Sequence, residues 1–291
     1  MIYKIENQHL EVEINSFGAE LWSIVNKSDQ TQHLWQGDKS IWPRRSPILF
    51  PHCGRLKGNI YKLEGKDYQS PMHGFARDYE HELVNQSETS ITFVLESNEE
   101  TFKLYPYRFK LYTRYELDNN RLNCTFEVVN CGNYEMLFSI GYHTGLMCPF
   151  DSTKSIEDYS IVFEKEETPV ELLCNSEGLL SGEQRIYFDK KNIIELNDKI
   201  FQSSIILSKL RSDYVSIIEN NTGRYVKVNI KDFEYVVLWS MPDNVKFICI
   251  EPWHGLPDMY NTEGQLDKKL GIQKINAGEH FTCTQTIEIN R

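Results

Sequence analysis

Two short stretches of this chain carry side chains able to trade protons. They are Gly141-Tyr142-His143 and, far downstream, Glu251-Pro252-Trp253-His254-Gly255. Each follows an apolar run: Met136-Leu137-Phe138-Ser139-Ile140 leads to the histidine, and Phe247-Ile248-Cys249-Ile250 to the glutamate. Side chains alternate faces along a strand. Met136, Phe138, Ile140 and Tyr142 then point one way, and Leu137, Ser139, Gly141 and His143 the other, so small neighbours leave room before the imidazole. Pro252 has no N–H for a ladder, which predicts that the second strand ends at Glu251. Burial there raises a carboxyl pKa and suits it to act as a base near neutrality. An imidazolium beside a carboxylate holds its proton and can release it as a general acid. Brought together, His143 and Glu251 are an acid–base pair. Kept apart, they are a strand-end carboxylate and an ordinary histidine.

Other polar side chains sit near glycines. Arg55 follows Gly54 in the loop after Pro47-Ile48-Leu49-Phe50-Pro51, and its planar fork of donors suits hydroxyls or a ring oxygen, or else a surface salt bridge. His73 opens His73-Gly74-Phe75-Ala76-Arg77, where it binds a hydroxyl or caps a turn. If that segment is extended, His73, Phe75 and Arg77 share a face, with Arg77 roughly 13 Å beyond His73. Trp253 beside Glu251 has the flat apolar face that commonly walls a sugar site. No GxGxxG, Walker-type loop, HExxH or nucleophile elbow occurs, which removes the commonest nucleotide, zinc-hydrolase and serine-hydrolase readings.

The elements that must position these groups read as strands. His9 to Ile14, Leu21 to Val25, Ile91 to Leu95, Val236 to Trp239, Phe247 to Ile250 and His280 to Ile289 are strand-like. Hairpins are predicted for Phe109 to Leu117 with Leu122 to Val129, and for Tyr214 to Glu219 with Arg224 to Ile230. The only helix candidates are short, near Lys39-Trp42 and Glu100-Tyr105. Many strands at short spacing, with no Pro/Gly/Ser linker, predict an all-β protein: one large antiparallel β-sandwich domain over residues 1–291.

Composition narrows the partners. The chain of 291 residues is 40% hydrophobic and 25% charged, enough apolar content for a core. A net charge of −11 argues against nucleic acid or an anionic membrane as partner. No run of about 18 apolar residues exists, and Met1-Ile2-Tyr3-Lys4-Ile5-Glu6 has no signal-peptide core, which predicts a soluble cytoplasmic protein. Seven cysteines without a CxxC pair are expected as reduced, mostly buried thiols, with no metal centre.

In their order, Gly54-Arg55, His73-Gly74, Gly141-Tyr142-His143 and Glu251-Pro252-Trp253 resemble the motifs of the aldose 1-epimerase (galactose mutarotase) family. Phe17-Gly18-Ala19-Glu20-Leu21, Gly223-Arg224-Tyr225-Val226 and Leu238-Trp239-Ser240 also fit its LacX-like branch, so the likeness spans nearly the whole chain. The resemblance implies a mutarotase-like β-sandwich with an open sugar cleft and no cofactor. It implies His143 as general acid and Glu251 as general base, with Arg55 and His73 binding sugar and Trp239 and Trp253 lining the cleft. Three departures stand out. Thr144 occupies a position that is usually proline, and Phe201-Gln202-Ser203-Ser204 lacks an aspartate that relatives often carry. Arg77 matches an arginine that contacts phosphate in related hexose-6-phosphate epimerases. The expected activity is interconversion of the α and β anomers of a free hexose. A hexose-6-phosphate epimerase and a non-catalytic carbohydrate-binding protein remain open, as does a homodimer.

Overall fold

The structure, a computed structural model, describes residues 1–290. Two large sheets dominate it, and every strand ladder is antiparallel. The nine-stranded sheet has His280–Asn290 at its middle, beside the expected hairpin of Phe109–Asp118 and Arg121–Asn130, with Ser90–Glu96 on the hairpin's other flank. Asp118 pairs with Arg121, so Asn119 and Asn120 alone make the turn, and Asn119 takes the left-handed conformation that asparagine tolerates. The second hairpin, Tyr214–Glu219 with Tyr225–Asn229, lies in the same sheet. The eight-stranded sheet runs through Ile205–Ser208, Tyr235–Trp239 and Phe247–His254 to Ile140–Tyr142 and Ile48–Leu49, with Gly145–Met147 also pairing Phe247–His254.

Alternation drives the layering. Along Arg121–Asn130, Leu122, Cys124, Phe126 and Val128 are buried while the residues between them are partly exposed. They meet Ile140, Tyr142, Val236, Leu238, Ile248 and Ile250 of the other sheet in one continuous apolar core. Tyr142 fastens the two layers. Its ring stacks on Phe126 with centroids 4.2 Å apart, and its hydroxyl donates to the carbonyls of Cys124 at 2.8 Å and Cys283 at 3.0 Å. Offset aromatic pairs of this kind add about 0.5–1.5 kcal/mol beyond the area they bury.

Three local expectations need correction. The strand at Glu251 does not stop at Pro252 but continues to His254, with Pro252 opposite Val236. On the other flank the ladder pairs Ile140 with His254 and Gly141 with Trp253, lapses, then resumes at Gly145 and Cys249 in the same register. Pro252 thus falls opposite Tyr142, inside the lapse, where its missing N–H breaks no ladder bond. The Tyr142 carbonyl instead accepts from the Trp253 indole at 3.1 Å. Second, Gly141 does not leave open space before His143. A Cβ on it would stand 2.6 Å from Trp253 Cδ1, so the absent side chain lets the indole lie against the sheet. Third, the helix candidate near Glu100 forms as Glu99–Leu104, capped by Asn98, whereas Lys39 to Ile41 make only a turn.

Among the described residues all seven cysteines are free thiols, five of them buried. Among the same residues no helix is long and apolar enough to cross a membrane.

Candidate active site

Odd-numbered residues of Phe247–His254 face away from the shared core. On that outer side of the eight-stranded sheet lies a cleft of ≈ 420 Å³. Glu251, Trp253, Val237, Trp239 and His143 form its floor, and Trp42, Pro43, Arg44, Met72, His73, Arg77, Ser204 and Met241 its walls. Its size falls among small-molecule sites, which run from about 300 to 1,000 Å³. Six of the seven residues singled out in the sequence meet here; Arg55 alone does not line it.

The register held on both sides of the ladder lapse sets His143 directly opposite Glu251. His143 Nδ1 stands 3.5 Å from Glu251 Oε2, and neither atom has any other hydrogen-bond partner. Glu251 is 1% exposed and His143 8%. Aromatic rings fix the imidazole. Trp42 stacks on it with centroids 5.0 Å apart and planes inclined 25°, while His73 and Trp239 meet it edge-on at 5.3 Å and 5.5 Å. Trp42 escaped the sequence reading because its ring meets His143, Trp239 and Phe247, all remote in the chain.

Burial governs the electrostatics. It pushes the Glu251 carboxyl well above the ordinary 4.5, opposed only by the Trp253 indole N–H. It lowers His143 from 6.5 to about 3, helped by the positive charges of Arg77 and Arg44. The expectation that His143 holds its proton firmly is therefore corrected: desolvation and two guanidinium groups disfavour the imidazolium, and a carboxyl kept protonated by its own burial offers no counter-charge. Between them the pair favours a carboxylic acid and a neutral imidazole, which together carry one proton.

The His73–Arg77 segment is not extended. His73 has φ +67, Ala76–Asp78 form a single 3₁₀ turn, and Phe75 turns into the core. Gly74 causes the curl by close approach: a Cβ there would sit 2.2 Å from the Phe50 carbonyl oxygen, which accepts from the N–H of both Phe75 and Ala76. The curl brings His73 and Arg77 to the same cleft. Gly54 N–H donates to His73 Nδ1 at 3.1 Å, leaving Nε2 as the protonated nitrogen of the neutral ring. Burial foremost, then the charges around it, keeps His73 well below 6.5.

Arg77 donates to the Met72 carbonyl at 2.6 Å, and its Nε has no hydrogen-bond partner. Arg44 pairs with Asp78 at 2.7 Å. Burial lowers Arg77 to about 10, so it stays charged at neutral pH. Arg55 lies one layer outside, and the sulfur of Met72 at 3.7 Å is its guanidinium's only hydrogen-bond partner among the described residues.

Thr144 ties the two strands together beside the pair. Ser46 donates to its hydroxyl at 2.9 Å, Thr144 donates to Gln285 Oε1 at 2.8 Å, and Gln285 Nε2 donates to the Ile250 carbonyl at 3.3 Å. This buried chain joins the residue after His143 to the residue before Glu251 across the ladder lapse. Glu20 steadies its far end by accepting from the N–H groups of Arg45 at 2.8 Å and Ser46 at 2.9 Å.

Comparison with known proteins agrees with this sandwich. The family model for aldose 1-epimerase matches residues 1–288. The chromosomal LacX protein of Lactococcus lactis subsp. lactis is 31% identical over 284 residues, covering 94% of this chain and 95% of that one. The galactose mutarotase related enzyme from Lactobacillus acidophilus superposes with a TM-score of 0.95 at 33% identity, over 100% of this chain and 98% of the other. A galactose mutarotase-like protein from Lactobacillus casei gives 0.93 at 29% identity, covering both chains completely. The fold is the galactose mutarotase-like sandwich, a class of sugar-handling proteins. The chain belongs to the aldose 1-epimerase family.

Proposed function

We propose that the protein is a mutarotase interconverting the α and β anomers of a free aldohexose, with His143 and Glu251 as its acid and base. The observation that carries this reading is the 3.5 Å approach of two buried atoms that have no other partner. A sugar ring set with its C1 hydroxyl at Glu251 and its ring oxygen at His143 completes both. Glu251 removes the hydroxyl proton as His143 protonates the ring oxygen, and the C1–O5 bond breaks to give the open aldehyde. Rotation about C1–C2 presents the other carbonyl face. The O5 hydroxyl adds to it, returning its proton to His143 while Glu251 gives a proton back to O1. Each proton transfer is worth about 10²–10⁴-fold in rate.

One proton resides on the pair throughout. With the ring closed it sits on His143; with the ring open it sits on Glu251. The partition that burial favours, carboxylic acid and neutral imidazole, matches the open-chain stage. Burial therefore favours the open-chain side of the path over the closed ring. The reading assigns His73 Nε2–H and Arg77 Nε as donors to sugar hydroxyls, Trp239 and Trp253 as the apolar floor under the ring, and Arg55 as a rim donor beside Met72. The reaction shifts protons and opens and re-forms the C1–O5 bond without any change of oxidation state, so the reading assigns no cofactor.

Polarimetry of fresh α-glucose and α-galactose tests it. Optical rotation should relax faster with the protein, and an unchanged rate for both would end the proposal. One observation favours a second reading, a 6-phosphorylated substrate: Arg44 and Arg77 line one end of the cleft with Asp78 as their shared counter-charge. Phosphate sites usually gather more donors than this, and we retain the free sugar.

A further inference from the structure

Cys249 precedes Glu251 by two residues on one strand, so both side chains project from the same face. One ligand atom each of His143, Cys249 and Glu251 lies within 4.8 Å of the others, and all three residues are buried. The 3.5 Å separation of His143 Nδ1 and Glu251 Oε2 approximates one edge of a tetrahedron of donors about 2.0–2.2 Å from a zinc ion. A shift on the order of 1 Å would bring the sulfur to its longer bond of about 2.3 Å. Neither the imidazole nor the carboxyl atom has a competing partner to give up. The cleft supplies room for a fourth ligand.

We propose that His143, Cys249 and Glu251 form a site for a thiophilic divalent cation, Zn²⁺ foremost, which shuts the sugar cleft when occupied. The thiol gives up its proton on binding, and so does the His143–Glu251 pair. Thiolate and carboxylate then balance the two charges of the ion, leaving a neutral cluster suited to a buried setting. Sulfur and imidazole select zinc, copper and cobalt over magnesium and calcium, which take oxygen ligands. The fourth ligand position faces the space assigned to the sugar's C1 hydroxyl, so metal and sugar exclude one another. The inhibitory half of this proposal rests on the mutarotase reading; the binding half does not.

Spectroscopic titration of the full chain with Co²⁺, after chelator treatment, tests the binding half without any activity. One equivalent should produce a sulfur-to-cobalt charge-transfer band that Zn²⁺ removes and Mg²⁺ leaves. Cys249→Ala should abolish the band, and Cys131→Ser, at the exposed thiol, should keep it. His143→Asn, which retains the sulfur, should weaken Co²⁺ binding at least about tenfold, and this arm decides if Cys249→Ala does not fold. Zn²⁺ should slow mutarotation competitively with sugar. Absence of the band, its survival in Cys249→Ala, or its loss in Cys131→Ser overturns the site. A band in a protein without mutarotase activity would leave the site standing and remove the proposed function instead.

Discussion

His143 and Glu251 stand opposite each other across a ladder that lapses where they meet, their nearest side-chain atoms 3.5 Å apart. The lapse has a use. Continuous pairing would complete the backbone but leave the strands no local freedom; here side chains from Trp253, Thr144 and Gln285 take over the hydrogen bonding around the gap.

Removing either member should leave the fold and stop the chemistry. His143→Asn and Glu251→Gln are each expected to lower kcat by at least about a hundredfold, since each deletes one acid–base function. Polarimetric rates alongside circular dichroism check this, and near wild-type turnover in either variant would break the assignment.

The pH profile follows from one proton on the pair. At low pH the pair gains a second proton on His143, whose pKa burial lowers to about 3, so the acid limb of kcat/KM belongs well below 6.5. At high pH the pair loses its proton from Glu251, which burial raises, so the alkaline limb belongs well above 4.5. The resulting bell reports the pair and not either residue alone. An acid limb at or above pH 6.5, measured on the wild type, would contradict the desolvated histidine.

Thr144→Val should cost stability and turnover together. It strands the Gln285 oxygen in a buried setting, a loss of about 1–3 kcal/mol. Loosening the register beside His143 should lower kcat several-fold with little change in KM. Thr144→Ser keeps the hydroxyl and is expected to recover most of both in denaturant melts and rate assays.

Arg77 separates the two substrate readings. For a free sugar, wild type should prefer glucose to glucose 6-phosphate in kcat/KM, and Arg77→Ala should weaken glucose turnover by the value of a charged hydrogen bond, about 1.5–3 kcal/mol. A strong wild-type preference for the phosphate that Arg77→Ala abolishes would transfer the assignment to the phosphorylated sugar.

Acid should unfold the sandwich through its buried histidines. His33 and His81 are lowered to about 4 and His52 to about 3, chiefly by burial, against an ordinary 6.5. The unfolded chain binds protons first, so their contribution is complete above pH 6.5 and drains away as pH falls toward 4. Over its full range each is worth on the order of 3–5 kcal/mol. Glu251, raised by burial, runs the other way at a single site. Chemical denaturation midpoints at pH 7 and pH 5 should show a clear drop.

Much of the fold was legible because its signals are local. Alternation marked Leu10–Asn15 and Arg121–Asn130, and Asn119-Asn120 and Asn220-Asn221 marked the hairpin turns. Glu251 and His143 could be singled out because each follows an apolar strand. What escaped depends on distant partners. Pro252 reads as a stop until the ladder is seen to lapse at Tyr142. The curl at His73 follows from Gly74 pressing on the Phe50 carbonyl, which no neighbour in sequence foretells. Trp42 and Thr144 matter only through contacts with residues remote in the chain.

Tyr142 and His143 are adjacent, yet one anchors in the opposite sheet and the other faces the cleft. The nine-stranded sheet, whose described residues line no part of the cleft, is thereby the bench to which the proposed acid is bolted. Engineering should treat its two surfaces differently. The inward residues Phe126 and Cys124 set the histidine's stance, and altering them should blunt catalysis at long range. Of the outward residues between them, Asn123 and Thr125 bond Thr286 and Thr284 of the neighbouring strand, which leaves Glu127 as the position for a tether, a label or an altered charge.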